Sequence, residues 1–539
     1  MKKMMKRMLS MILALSVVIT GMLGLTACGK EVDPNTVYIS IINKGYGNQW
    51  IGTLMDKFLK SDASYSQYKY ELINSYDDSN VKTDVEGGSK HVYYDLVVHA
   101  GNSTMIKNES LVDITEVYNM DYKDGKLSDY MDNSILSSFV QKENGKEFYT
   151  SIPWSKSVRG LLINYDVVNE ALGADWESKY PIRTTNEFLV FVEALNDRFS
   201  KLSGNKKPFI LYSQDNYYDG LYEIWWAQYE GMKGVEDYYN AKYVEGGEVK
   251  EGQTALLQAG RLHSLKVMEE IFYNRNNYEV YSNWNGMQAA YMEGKSAMLV
   301  NGDWLYNEMG SKYENVDIRF VKAPVISALG VELGVIGEDD YETKQDGDAE
   351  YYNIKSEEKF IEIIDYVDKI NNGEQAQKPT GVNDATIERI AEARSMVYSN
   401  IDYPCISIPA YSNKSQLMID FIKWLYSDAG QKEYVTAMKG LTLPVNNDAT
   451  EGMTLTGFAS SLKEMTKNAT YVFPNRNWKY AKAGLVAFTA RREGPIEYLL
   501  TGKSKTPNCD SAVEIYKYDY NYYTKNNGNN WSLLQTMAK

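Results

Sequence analysis

Two hydrophobic rhythms alternate along this chain, and their alternation limits the folds open to it. Val37-Tyr38-Ile39-Ser40-Ile41-Ile42 is rich in β-branched and aromatic residues, the composition of a strand. Asp95-Leu96-Val97-Val98-His99 is a short apolar run ending at Gly101, which suits a buried parallel strand and the loop beyond it. Helical spacing takes over elsewhere. Phe188, Phe191, Val192 and Leu195 recur at i, i+3, i+4 and i+7 behind Thr184-Thr185-Asn186-Glu187, whose S/T-x-x-E spacing predicts a capping box. The same apolar spacing runs through Phe360, Ile363, Ile364 and Val367, and again through Met418, Phe421, Ile422 and Leu425. Between Thr254 and Phe272 a further amphipathic helix turns Leu262, Leu265 and Met268 inward, which places His263 at its surface. Strands interleaved with helices in this way predict an α/β fold with largely parallel sheets.

At 539 residues the chain is long for one hydrophobic core and suits two or three domains. Its formal net charge is −15, and no basic run follows the first ten residues, which argues against a nucleic-acid partner. There are 3 His and 3 Cys, and His91, His99 and His263 form no H-x-x-x-H pair, so neither a zinc site nor another cofactor is expected. The acidic residues between Gly337 and Asp348 lack the ligand spacing of a calcium loop and predict a solvated loop. Aromatic residues point elsewhere. The chain has 45 Tyr and 10 Trp against 14 Phe, and tyrosine and tryptophan suit half-wet, ligand-facing surfaces.

Lys2, Lys3, Lys6 and Arg7 precede an apolar stretch from Met8 to Leu25, the charged and apolar regions of a signal peptide. Leu25-Thr26-Ala27-Cys28 resembles the bacterial lipobox. The resemblance implies removal of residues 1–27, acylation of Cys28, and residues 28–35 as tether on the outer face of a bacterial cytoplasmic membrane. Several acyl chains on one residue anchor a protein stably. Losing residues 1–27 takes away four basic and no acidic side chains, which moves the formal charge from −15 to −19. Cys405 and Cys509 are then read as separate buried thiols, and Asn521 to Trp531 as a loose tail ending in a short amphipathic piece.

Four segments carry a family resemblance. Tyr291 to Trp304, ending Val300-Asn301-Gly302-Asp303-Trp304, is similar to the "F-x-x-G-K-A-A-M-x-x-x-G-x-W" segment of the extracellular solute-binding proteins of ABC importers, in the carbohydrate-binding, maltose-binding-protein-like family. Ile152-Pro153-Trp154-Ser155, followed by Arg159-Gly160-Leu161-Leu162-Ile163-Asn164, resembles that family's crossing strand. Ser412-Asn413-Lys414 and Ser427-Asp428-Ala429-Gly430-Gln431 resemble its late helix pair, and Lys44-Gly45-Tyr46-Gly47 follows the first strand in family order.

This resemblance implies a two-lobed periplasmic-binding-protein-like fold of type II, each lobe a mostly parallel sheet flanked by helices, with the ligand cleft between lobes. The motif order places lobe one at 36–155 plus 326–445, with an inserted helical region at about 326–404, and lobe two at 160–322 plus 446–539. The implied function is a monomeric, non-enzymatic lipoprotein that captures a carbohydrate and delivers it to ABC permease subunits. Trp304, Asp303, Trp154 and Arg159 are the first ligand candidates, followed by Trp225, Trp284, Tyr46 and Tyr411, with Asn102 in a strand-end loop. Of the pair Trp225-Trp226, Trp225 is expected to face out. A secreted glycoside hydrolase, or a lipoprotein that signals to a membrane partner, are the alternative readings.

Overall fold

The computed structural model describes residues 32–43, 45–75, 77–88, 92–99, 105–212, 217–273, 275–310, 312–400, 404–442, 449–486, 511–524 and 528–539. The leader with Cys28, together with Lys44, Asn102 and Cys509, lies outside them.

β1 (Thr36–Ile42) is buried along its whole length, as an unbroken run of strand-forming residues requires when both faces are covered. It pairs in parallel with β2 (Lys69–Ser75) and β3 (Leu96–His99). Helix α1 (Gln49–Leu59) makes the crossover between β1 and β2 and buries Trp50, Ile51, Leu54, Met55 and Phe58. β4 (Ser151–Pro153) is the last strand before the chain crosses into a second sheet. That sheet begins with β5 (Val158–Asn164) and continues with β6 (Lys207–Tyr212), β7 (Tyr278–Tyr281), β8 (Ser296–Gly302), β9 (Ile318–Val321) and β10 (Met396–Ser399). β11 (Cys405–Ser407) returns to the first sheet, antiparallel between β3 and β4, and β12 (Thr470–Val472) lies parallel to β10. The orders are β2-β1-β3-β11-β4 and β7-β6-β8-β5-β10-β12, with β9 on β5. Two lobes follow, and the motif that resembles a crossing strand does cross between them.

The crossing segments brace each other. Trp154 N–H donates to Pro404 O at 2.9 Å, and Asn400 N–H donates to Ser157 O at 2.9 Å.

Helix α2 (Thr185–Phe199) buries Phe188, Phe191, Val192 and Leu195. Thr184 Oγ1 accepts from Glu187 N–H at 3.2 Å, while the Glu187 carboxylate accepts from Arg183 N–H at 2.9 Å. The cap therefore closes one residue earlier than the capping-box spacing predicts. α3 (Asp219–Tyr239) and α4 (Ala259–Tyr273) pack against each other in the second lobe.

The structure departs from the sequence reading at His263, at the acidic stretch, at the insert and at the tail. His263 is buried rather than at the surface: on α4 it lies between the rings of Tyr229 and Tyr352, at 5.0 and 4.9 Å, and burial lowers its pKa to about 4. Tyr352 belongs to a hairpin of Tyr341–Asp346 and Ala349–Ile354, so the acidic stretch is largely paired strand instead of a plain solvated loop. The insert changes lobe. The region 326–404, which the motif order places with lobe one, packs on lobe two: Phe360, Ile363 and Ile364 of α5 (Glu358–Asn371) and Ile390 of α6 (Asp384–Ser395) share a core with Phe188 and Trp225, and β10 completes the second sheet. The tail is ordered where it is described. Residues 521–524 close the helix α7 (Ala512–Thr524), which packs against α4, and Trp531 stacks on Tyr480 at 5.0 Å.

Candidate ligand cleft

Strand ends from both sheets converge where the lobes meet, the place where open α/β sheets hold ligands. β8 ends at Gly302, and the chain turns so tightly that a Cβ there would lie 2.2 Å from the Trp304 ring. Only glycine lets that indole fold back over the strand end. From the first lobe, the loop after β1 reaches the same ring. Gly45 has φ of +85°, and a Cβ on it would meet Trp304 Cβ at 2.9 Å, so positive φ and close approach both call for glycine.

An aromatic shelf runs through the junction. Trp284 lies 4.6 Å from Tyr212 and 4.4 Å from Tyr217, and Tyr217 meets Trp304 edge-on at 5.3 Å. Tyr46 meets Trp304 at 6.0 Å and Trp154 at 5.0 Å, both edge-on. Trp154 continues onto Trp50 of α1 at 4.7 Å. Arg159, at the start of β5, sets its guanidinium over Tyr217, Trp304 and Tyr398 at 4.7, 5.7 and 5.5 Å. With the Asn400 amide turned so that its oxygen faces the arginine, it accepts from Nη2 at 2.6 Å and Nε at 3.0 Å. The planar cation is thus fixed among ring faces while remaining half-buried.

Polar anchors sit beneath the shelf. Tyr46 donates its phenol proton to Asp303 Oδ1 at 2.7 Å and lies 3.0 Å from Ser157 Oγ. Asp303 is 1% exposed, and burial raises its pKa to about 7. The Trp154 indole N–H is buried without a hydrogen-bond partner among the described residues.

Trp304, Asp303, Trp154, Arg159, Trp284 and Tyr46 therefore come together. Trp225 does not: it is fully buried in the second lobe's core, where its indole N–H donates to Pro324 O at 3.0 Å. Trp226 is equally buried, so neither member of the pair faces out. Tyr411 also stands apart. It packs on Tyr93 at 5.6 Å and donates to Val92 O at 3.2 Å, beside the entry to β3, the opposite end of that sheet from the Tyr46 loop. Sequence reasoning missed Tyr212, Tyr217, Tyr398 and Asn400. Tyr212 ends a strand of the second sheet, Tyr217 and Asn400 follow strands and Tyr398 stands one residue from a strand end, so the strand-end rule that singled out Asn102 would have pointed to this region had Lys207–Tyr212 and Met396–Ser399 been read as strands.

Two α/β lobes with an aromatic, arginine-bearing cleft at their junction define a two-lobed binding protein. The chain belongs to the bacterial extracellular solute-binding protein family, whose model matches residues 53–470. Among solved structures it is similar to the GacH receptor of Streptomyces glaucescens GLA.O, described unliganded and in complex with acarbose and an acarbose homolog. The TM-score is 0.53 and the identity 13%, over 91% of this chain and 97% of that one. It is also similar to a chitin oligosaccharide binding protein, with a TM-score of 0.50 and 14% identity over 83% and 91% of the two chains. At such identities the likeness carries the fold alone. No curated protein matches by sequence. Among the described residues, no helix is long and apolar enough to cross a membrane.

Proposed function

We propose that this protein captures a neutral oligosaccharide between its lobes and presents it to an ABC permease, held at the outer membrane face by lipid on Cys28. The observation that carries this reading is the shelf of Trp284, Tyr217 and Trp304 with Arg159 fixed among its rings. Sugars offer apolar C–H faces edged by hydroxyls, so a site for them needs flat aromatic surface with polar groups at its margin. Each such ring buries roughly 150–250 Å², or several kcal/mol at about 25 cal/mol per Å² before ordering costs are subtracted. Arg159 and Asn400 supply hydroxyl partners at the rim, and the unpartnered Trp154 N–H supplies a donor.

Binding then works as a population shift. A sugar that touches both lobes favours their closed arrangement, which the permease reads. The tether keeps loaded protein at high effective concentration beside its transporter. That structural neighbours are named for acarbose and chitin oligosaccharides agrees with a glycan ligand. Isothermal calorimetry across malto- and chito-oligosaccharides is expected to give saturable one-to-one binding with no hydrolysed products. Absence of heat and of thermal stabilisation with every glycan would turn the reading towards peptides or other polar solutes.

A further inference from the structure

Asp303 is a buried carboxylate with no cationic partner among the described residues: its side chain meets the Tyr46 phenol at 2.7 Å and the backbone N–H groups of Asp303 and Val158. The ionisable groups facing it are the phenols of Tyr46, from the loop after β1, and Tyr434, on the first-lobe helix Asp428–Ala437. Arg159 pairs with Gly302 across the β5–β8 ladder and directs its guanidinium to Asn400 and the rings. Glu308, near Gly45, is exposed and accepts from Gln288 at 2.7 Å. Burial therefore acts on Asp303 unopposed by a positive charge from the described residues, and it raises the pKa to about 7 against the lowering by its hydrogen bonds.

Its hydrogen-bond partner belongs to the other lobe. When Asp303 is ionised, Tyr46 donates to it. When Asp303 carries a proton, the acid O–H can donate to the phenol oxygen while the phenol proton turns to Ser157 Oγ, 3.0 Å away. Both forms are hydrogen-bonded with the lobes together, yet only the acid avoids burying a charge. Parting the lobes withdraws Tyr46 and admits water, which returns the carboxylate towards its ordinary range.

We propose that Tyr46 and Asp303 form a proton-dependent latch across the cleft, so that the lobes hold together more firmly with Asp303 in its acid form and solute affinity rises as the medium acidifies. The affinity clause rests on the solute-capture reading; the latch itself does not. The sign follows from linkage. The pKa is higher with the lobes together than apart, so closing takes up a proton between the two values. Acidification favours closure, and that gain is lost as pH rises through about 7. Between pH 8 and pH 6 the closing equilibrium should shift about tenfold.

Double electron–electron resonance between spin labels on the exposed Lys60 and Val190, one on each lobe, tests this without any solute. The ratio of short-distance to long-distance populations is expected to grow about tenfold from pH 8 to pH 6 in the parent protein. Asp303→Asn imitates the acid and should hold the short distance at pH 8. Tyr46→Phe removes the donor to the ionised form and should move the midpoint to higher pH, while Glu308→Gln should follow the parent. A pH-independent parent, an Asp303→Asn variant that tracks pH as the parent does, or a Glu308→Gln variant that abolishes the response would each overturn the latch. Failure of malto- and chito-oligosaccharides to bind at both pH 6 and pH 8 would remove the capture reading and leave the distance result standing.

Discussion

Trp304 and Trp225 separate two roles that one residue type can play. Both are buried, yet Trp304 touches residues of both lobes, whereas Trp225 packs in the second lobe's core. Trp304→Ala is expected to weaken oligosaccharide binding at least tenfold by calorimetry with the fold intact; unchanged affinity would remove it from the site. Trp225→Ala should do the reverse, lowering stability by about 3–5 kcal/mol in urea unfolding while affinity under native conditions stays within twofold. Gly302→Ala makes a subtler test. The added methyl group collides with the Trp304 ring, so the indole must leave its seat at a cost of about 1–3 kcal/mol. Near-UV circular dichroism should register the displacement, with affinity falling as in Trp304→Ala. These distinctions are only half legible in sequence. The G-D-W segment marks Trp304, but adjacent tryptophans in a helix give no sign of which face is covered: here Phe188 and Pro324 lie against Trp225, and Tyr238, Tyr239 and Gln258 against Trp226.

Helix α3 shows how elements far apart in sequence complete one another. It breaks at Gly231, where φ is +76°, and such a break leaves backbone groups without helical partners. Helix α6 supplies them. Glu392 accepts from Met232 N–H at 3.1 Å, and Arg389 donates to the carbonyls of Gln228 and Tyr229. Glu392→Ala should therefore destabilise the protein by about 1 kcal/mol through an orphaned, half-buried N–H, read as an earlier urea midpoint. A midpoint unmoved by the change would show that the kink supports itself. Apolar periodicity gave α2 and α5 because their buried faces repeat in sequence. It gave neither the kink nor its support, because a capping partner 160 residues away leaves no periodic trace. His263 failed for a related reason: its helix was legible, but the hairpin that buries it was not.

At the scale of the molecule, the two lobes were legible because the crossing strand and the G-D-W segment hold family order, while the home of the insert was not. Motif order says where extra residues fall along the chain, but which sheet they join depends on β10 pairing with β5 and β12. Net charge is the one global property that sequence gives directly, and it separates classes of solute. The full chain carries −15, and −19 without residues 1–27, so a charged ligand would approach through a long-range field that salt screens over about 10 Å at 0.1 M. A neutral glycan held by ring faces and short hydrogen bonds has no such term. Its calorimetric affinity should change by less than about twofold between 0.05 and 0.5 M NaCl, since stacking and hydrogen bonding act within contact distance. A cationic solute would instead lose affinity steeply over that range, because added ions weaken its attraction to the acidic body. Such a loss would reassign the ligand class while leaving the two-lobed capture mechanism in place.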